Sequence, residues 1–186
     1  MRSTETVECE IDRNLLATFE QYNFPKDFDC GLPKINEYFT EQLRRALRSE
    51  NIKGIGAVVG QDLLGYCTLT VSEIAREKAK PGLAKPTNLP KQVPVVRLVM
   101  LGVDKRLQKC GIGLALMKQA LVETARLHLQ IPVKGLYLDA APGAVAFYTE
   151  LGFKALGEPN EEQSTPMLLG MAVILEAYEE YLETEG

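Results

Sequence analysis

An almost unbroken apolar run, Val95-Val96-Arg97-Leu98-Val99-Met100-Leu101-Gly102-Val103, has strand length and is rich in β-branched residues. Such a run reads as a strand covered on both faces. The charged turn Asp104-Lys105-Arg106-Leu107 follows, then Gln108-Lys109-Cys110-Gly111-Ile112-Gly113. After it comes a helical spacing that sets Leu114, Met117, Leu121 and Ala125 on one face. At the start of the chain, Val7, Cys9 and Ile11 alternate with Glu8 and Glu10, the pattern of a first strand over Val7 to Ile11. Asn14 to Gln21 has room for one or two helical turns, broken by Phe24-Pro25. Pro33 suits the first turn of a helix. Ile35, Tyr38, Phe39, Leu43, Ala46 and Leu47 then recur at three- and four-residue steps, with Arg44, Arg45 and Arg48 among the charges opposite.

Ile55 to Val59 and Leu64 to Val71, joined by Gly60-Gln61-Asp62, predict a β-hairpin. Ser72 to Pro94 is polar and holds Pro81, Pro86, Pro90 and Pro94, so it is expected to be mostly loop, with at most one short helix near Ile74. A loop of that length is often functional, and it could wall an acceptor cleft. Leu136 to Ala140 predicts a short strand. Pro142-Gly143 opens a helix with Ala144, Phe147, Tyr148 and Leu151 on one face and Gly152 at its C′ position. Phe153 to Leu156 and Met167 to Ile174 read as antiparallel strands, and a final helix is expected to turn Leu175, Tyr178 and Leu182 inward.

Strand, glycine-bearing turn and helix is a layout that suits an anion, because amides at the turn and helix N-terminus point outward together and the helix dipole favours negative charge. A Walker loop is excluded, since no Gly-Lys-Ser/Thr closes the turn. A dinucleotide fingerprint fits poorly, with Leu116 where a third glycine belongs. On the residues alone, a phosphate-holding turn and an ordinary tight strand–turn–helix are equally good readings.

The chain of 186 residues is expected to form one domain over 1–186, with a core that needs neither disulfide nor metal. Met1-Arg2-Ser3-Thr4-Glu5 shows no secretory signal, and no apolar run approaches the ~20 residues of a membrane span. Cys9, Cys30, Cys67 and Cys110 are scattered, and His128 is the one histidine, so no metal site and a cytoplasmic location are expected. Of the net charge of −4, eight glutamates after Lys154 supply −8, leaving +4 on residues 1–154. That asymmetry suits either a polyanionic partner on one face or a solvated acidic tail.

The order of elements, the Gln-x-x-Gly-x-Gly turn and the segment Ala146-Phe147-Tyr148-Thr149-Glu150-Leu151-Gly152-Phe153, roughly thirty-five residues later, together resemble the Gcn5-related N-acetyltransferase (GNAT) family. The resemblance implies an α/β (α+β) GNAT fold: a central mixed, mostly antiparallel sheet of six to seven strands flanked by helices, splayed between the fourth and fifth strands. Phe28-Asp29-Cys30-Gly31, Leu64-Gly65-Tyr66-Cys67-Thr68-Leu69 and Val93-Pro94-Val95-Val96 are similar to the GNAT toxins of bacterial type II toxin–antitoxin systems. Those enzymes acetylate the α-amino group of aminoacyl-tRNA, so acetyl-CoA, an aminoacyl-tRNA acceptor, a ribbon-helix-helix antitoxin and a homodimer are the implied partners. The chain departs from the pattern at Met100, where an arginine is usual, and at Ala141, near a usual asparagine.

By the same resemblance, the amides of Gln108, Lys109, Cys110, Gly111, Ile112 and Gly113, closed by Leu114, would hold the cofactor pyrophosphate. Backbone groups of Leu101 and Val103 would hold the pantetheine arm, and Gly102 in the middle would permit the bulge and splay that open the fourth strand from the fifth. Val103 N–H would be the oxyanion donor. Tyr148 would be the general acid, because a phenol with a pKa near 10 stays protonated at neutral pH. Its place on an apolar helix face is otherwise that of a core residue. Glu73, after the hairpin strand, is the best carboxylate candidate for general base, although a residue so placed is more often a surface one; His128 is read as exposed and receives no role. Acetylation of a small amine or a protein or peptide amine, and a non-catalytic acyl-CoA-binding or interaction module, are the competing readings.

Overall fold

The computed structural model describes residues 8–185. Its strands are β1 (Cys9–Asp12), β2 (Lys53–Val59), β3 (Asp62–Ala75), β4 (Gln92–Val103), β5 (Gly135–Ala140), β6 (Lys154–Ala155) and β7 (Thr165–Gly170). The helices are α1 (Leu15–Thr18), α2 (Pro33–Glu37), α3 (Leu43–Arg48), α4 (Arg76–Ala79), α5 (Ile112–Gln130), α6 (Val145–Glu150) and α7 (Met171–Glu185). Seven strands form one mixed sheet in the order β1-β2-β3-β4-β5-β7-β6, within the expected α/β class. Val7, expected to open the first strand, lies outside the described residues.

The residues group into two compact units: one holds the chain up to Leu69 together with Met100–Gln119, the other Thr70–Val99 and the chain from Ala120 onward. In the first unit, β1, β2 and β3 pair antiparallel in sequence order. Gly60, at φ +61, closes the β2–β3 hairpin. Leu15, Phe39, Leu43, Leu47, Leu63 and Tyr66 form the centre of the core. The amphipathic stripe from Pro33 to Arg48 buries Tyr38, Phe39, Leu43 and Leu47 as expected, but a π turn over Tyr38–Gln42 separates α2 from α3. Such a turn adds a residue to one helical repeat. Arg44 and Arg48 both pair with Glu20, at 3.5 and 2.8 Å, so these two arginines are engaged on their own surface.

In the second unit, β5 pairs antiparallel with β7 and β7 with β6. β5 also pairs with β4 in parallel, in the register Val96↔Leu136 and Arg97↔Tyr137. β4 continues six residues past Arg97, to Val103. The segment expected to be a long loop is more ordered: β3 extends to Ala75, α4 follows, and β4 starts at Gln92. Gly152 sits at φ +97 just past α6, as its C′ position requires.

Two helical faces differ from expectation. Met171–Ile174 is the start of α7 rather than the end of a strand; Met171 N donates to Lys134 O at 3.0 Å, and Met171, Ile174 and Tyr181 turn inward. Leu182 is 50 % exposed. An apolar run of eight residues fits either structure, and periodicity alone does not separate them. On α5, Leu116, Met117, Ala120, Val122 and Ala125 are buried while Leu114 is 53 % exposed. Apolar residues nearly surround that helix, so packing chose the face. His128 is half-buried rather than exposed, its Nδ1 2.8 Å from Val133 O where the chain leaves α5.

Candidate active site

The end of β4 and the turn into α5 carry all the residues expected to hold a cofactor: Leu101, Gly102, Val103 and Gln108 to Leu114, all in the first unit. Met100 N donates to Thr68 Oγ1 at 3.2 Å and Asp104 N to Leu64 O at 2.8 Å, both on β3. A strand alternates its peptide groups with period two. Leu101 and Val103, at the intervening positions, therefore direct their N–H groups away from β3. The turn itself depends on two residues in left-handed conformations, Lys109 at φ +62 and Gly111 at φ +77. A side chain at Gly111 would meet nothing within 4 Å, so its surroundings are open. The first intrahelical bond of α5 runs from Ala115 N to Gly111 O. The amides of Ile112, Gly113 and Leu114 thus have no carbonyl a turn back to bond, and their partial positive charge faces outward.

Two details add to what sequence reasoning assigned. Gln108 also acts through its side chain: Nε2 donates to Val103 O and to Cys30 O, each at 2.9 Å, and so ties the turn to the strand before it. Gly102 is buried, and a Cβ there would stand 2.6 Å from Ile35 Cγ2. The missing side chain there lets α2 approach β4. Cys110 is exposed, consistent with a small side chain carried by the turn.

A latch beneath the turn was missed. Asp104, 3 % exposed, accepts from Arg106 Nε at 2.7 Å, Arg106 Nη2 at 3.1 Å, Arg106 N at 2.9 Å and Asp29 N at 3.0 Å. Burial pushes its pKa up, but these hydrogen bonds outweigh burial and hold the carboxyl below its ordinary range. Asp29 accepts from Lys105 Nζ, Gly31 N and Asn36 Nδ2, and the Lys105 ammonium leads in holding it at about 2. Lys105 N donates back to Asp29 O at 2.9 Å. The sequence signal was thin: an acid ending the buried strand, with Arg106 two residues on and its other partner, Asp29, 75 residues earlier.

Tyr148 and Glu73 belong to the second unit. Tyr148 lies on α6, 8 % exposed, edge-on to Phe147 and Phe153 with centroids 5.1 and 5.6 Å away. Glu73 is exposed and sits within β3 rather than after it. The same unit holds a polar cluster that no linear spacing signals. Tyr137 donates to Asp139 Oδ1 at 2.8 Å and accepts from Lys78 Nζ at 2.9 Å, while Arg97 Nη2 bonds Asp139 Oδ2 at 3.0 Å. Among the described residues no group of three or more His, Cys, Asp and Glu side chains is arranged to hold a metal ion, and no helix is long and apolar enough to cross a membrane.

A family model described as the acetyltransferase (GNAT) domain matches residues 34–175. The chain is similar to a bacterial toxin of known crystal structure, with 34 % identity and a TM-score of 0.80 over 85 % of this chain and 89 % of that one. It is also similar to AtaT, solved as a tyrosine-to-phenylalanine mutant toxin bound to the C-terminus of the antitoxin AtaR and acetyl-CoA, with 25 % identity and a TM-score of 0.74 over 92 % and 99 % of the two chains. AtaT complexed with acetyl-methionyl-tRNAfMet matches with 25 % identity and a TM-score of 0.75 over 92 % and 99 %.

Proposed function

The chain belongs to the GNAT acetyltransferase family, and from that premise we propose that it transfers acetyl from acetyl-CoA to the α-amino group of aminoacyl-tRNA, by direct attack in a ternary complex. The observation that carries the cofactor half is the open run of α5 amides beside the outward-directed peptide groups of Leu101 and Val103. Bound acetyl-CoA would supply a thioester carbonyl and a thiolate leaving group. The turn from Gln108 to Leu114 would neutralise the pyrophosphate through main-chain N–H groups, with Gln108's side chain keeping the turn in register. Leu101 and Val103 would align the pantetheine arm. Val103 N–H would donate to the carbonyl oxygen as negative charge grows there, a type of donor worth about 3 kcal/mol in other enzymes. Tyr148 would protonate the departing sulfur. Glu73 would take the proton of the acceptor amine.

The acceptor half draws its support from AtaT, a relative solved with acetyl-methionyl-tRNAfMet. The complex of AtaT with the C-terminus of AtaR supports a toxin held in check by an antitoxin, here of the ribbon-helix-helix type. In this reading, residues 1–186 work as one domain, as a homodimer, in a bacterial cytoplasm. The acidic end of the chain favours a second acceptor class, a small amine or a protein or peptide amine. Labelled acetyl-CoA incubated with bulk charged tRNA separates the two. Label is expected in the ester-linked amino acid, and Tyr148→Phe should lower kcat by about 10²–10⁴-fold with little change in acetyl-CoA uptake. Label on polyamines or peptides and none on RNA would remove the tRNA acceptor.

A further inference from the structure

Outside the acyl-transfer machinery, the second unit carries a groove of about 310 Å³ whose floor is apolar, with Leu83, Leu89 and Met171 in it, and whose rim holds Lys85, Lys134 and Lys154. Among the described residues, no carboxylate lines it. None of the three lysines makes an ion pair or side-chain hydrogen bond among the described residues. The groove also contains Ala172 and Val173, the first turn of α7, whose N-terminal amides add partial positive charge. At its other end α7 is the reverse: Glu176, Glu179, Glu180 and Glu183 lie along it, and no Lys or Arg follows Lys154 anywhere in the sequence. We propose that this groove receives the acidic C-terminal half of α7 from a second copy of the chain, the two helices lying antiparallel about a two-fold axis.

Within one copy the two charges cannot meet. Val173 and Glu183 are ten residues apart on a straight helix, about 15 Å at 1.5 Å per residue. Antiparallel pairing solves this for both copies at once, since a two-fold interface presents the same patch on each side. The helix carries a stripe suited to it: Val173, Ala177, Glu180 and Thr184 follow each other at steps of four, three and four, with Glu176 beside Ala177, and all are exposed. Ala177, at the middle of the stripe, lets the backbones approach. Glu180, seven residues from Val173 on the same side, then falls over the partner copy's lysines. A nucleic-acid backbone would satisfy the lysines but would leave Leu83, Met171 and Val173 without an apolar partner. Because charge pairs hold the two copies together, salt weakens the association.

This inference gives a surface to the homodimer of the reading above and uses none of its chemistry. Sedimentation across the micromolar range, at low and high salt, tests it on the full chain. Lys154→Glu and Glu180→Lys should each weaken self-association about tenfold or more, because each sets like charges opposite one another. The double variant carrying both should recover it, since the exchanged charges pair again in both halves of the dimer. Thermal melting and acetyl-CoA titration establish that each variant is folded. A monomer at every concentration, a dimer indifferent to either single variant, or a double variant no tighter than the singles would overturn the pairing. Loss of acetyl-CoA uptake with the dimer intact counts against the proposed activity alone.

Discussion

Replacing Gly102 by alanine probes whether steric approach, rather than backbone freedom, is what the end of β4 requires. The added Cβ would stand 2.6 Å from Ile35 Cγ2, 3.4 Å from Tyr66 Cε1 and 3.5 Å from Cys30 Sγ. Carbon atoms in contact prefer about 3.5–4.0 Å, so Ile35 has to retreat by about 1 Å. It is not free to do so: Ile35 N bonds Leu32 O at 3.1 Å, and its carbonyl accepts from the wholly buried Tyr66 hydroxyl at 2.8 Å. Overpacking of this kind costs about 1–3 kcal/mol. Urea unfolding of Gly102→Ala should show a loss of that size with an unchanged slope. Ile35→Ala removes the obstructing methyl. The pair of substitutions together should then be less destabilising than their sum, with a coupling of about 1 kcal/mol or more. A single variant within about 0.5 kcal/mol of the parent, or a coupling of zero, would refute the steric account.

Two further outcomes follow from the latch and the thiols. Asp29, held at about 2 against an ordinary 3.8, and Asp104, held below its ordinary range, bind protons more weakly folded than unfolded. The stability they add is therefore present above about pH 4 and is lost as pH falls further toward their folded values; melting temperatures followed downward in pH should break there, and the paired variant Asp29→Asn, Asp104→Asn should flatten the break. Cys67 is fully buried and burial pushes its thiol up to about 12, whereas Cys110 is exposed. Under native conditions a thiol reagent should modify Cys110 first and Cys67 only on unfolding, read by mass spectrometry; early labelling at Cys67 would contradict the packing of β3 under α5.

The turn from Gln108 to Gly113 was legible because everything it needs is contiguous: a buried strand, a left-handed glycine and a helix start. The latch under it was not, because Asp104 meets Asp29 only after the chain has folded back across 75 positions. For the same reason the string does not show that the Gln108 side-chain amide spans Cys30 and Val103. Nothing in it announces that Ile35 passes over Gly102. Spacing alone also ends the hairpin strand before Glu73, where the structure carries it on to Ala75.

Local spacing determined that Val95 to Val103 is a covered strand, that Pro33 to Arg48 buries one face, and that Gly152 stops α6. These follow from periods and dihedral limits that a short stretch imposes on itself. Which face of α5 turns inward, and whether Met171 to Ile174 continues a strand or starts a helix, were settled by tertiary structure. Both segments are apolar enough to satisfy either choice alone, and only the shape of the neighbours they pack against, here Lys134's carbonyl and the sheet beneath α7, lowers one alternative below the other.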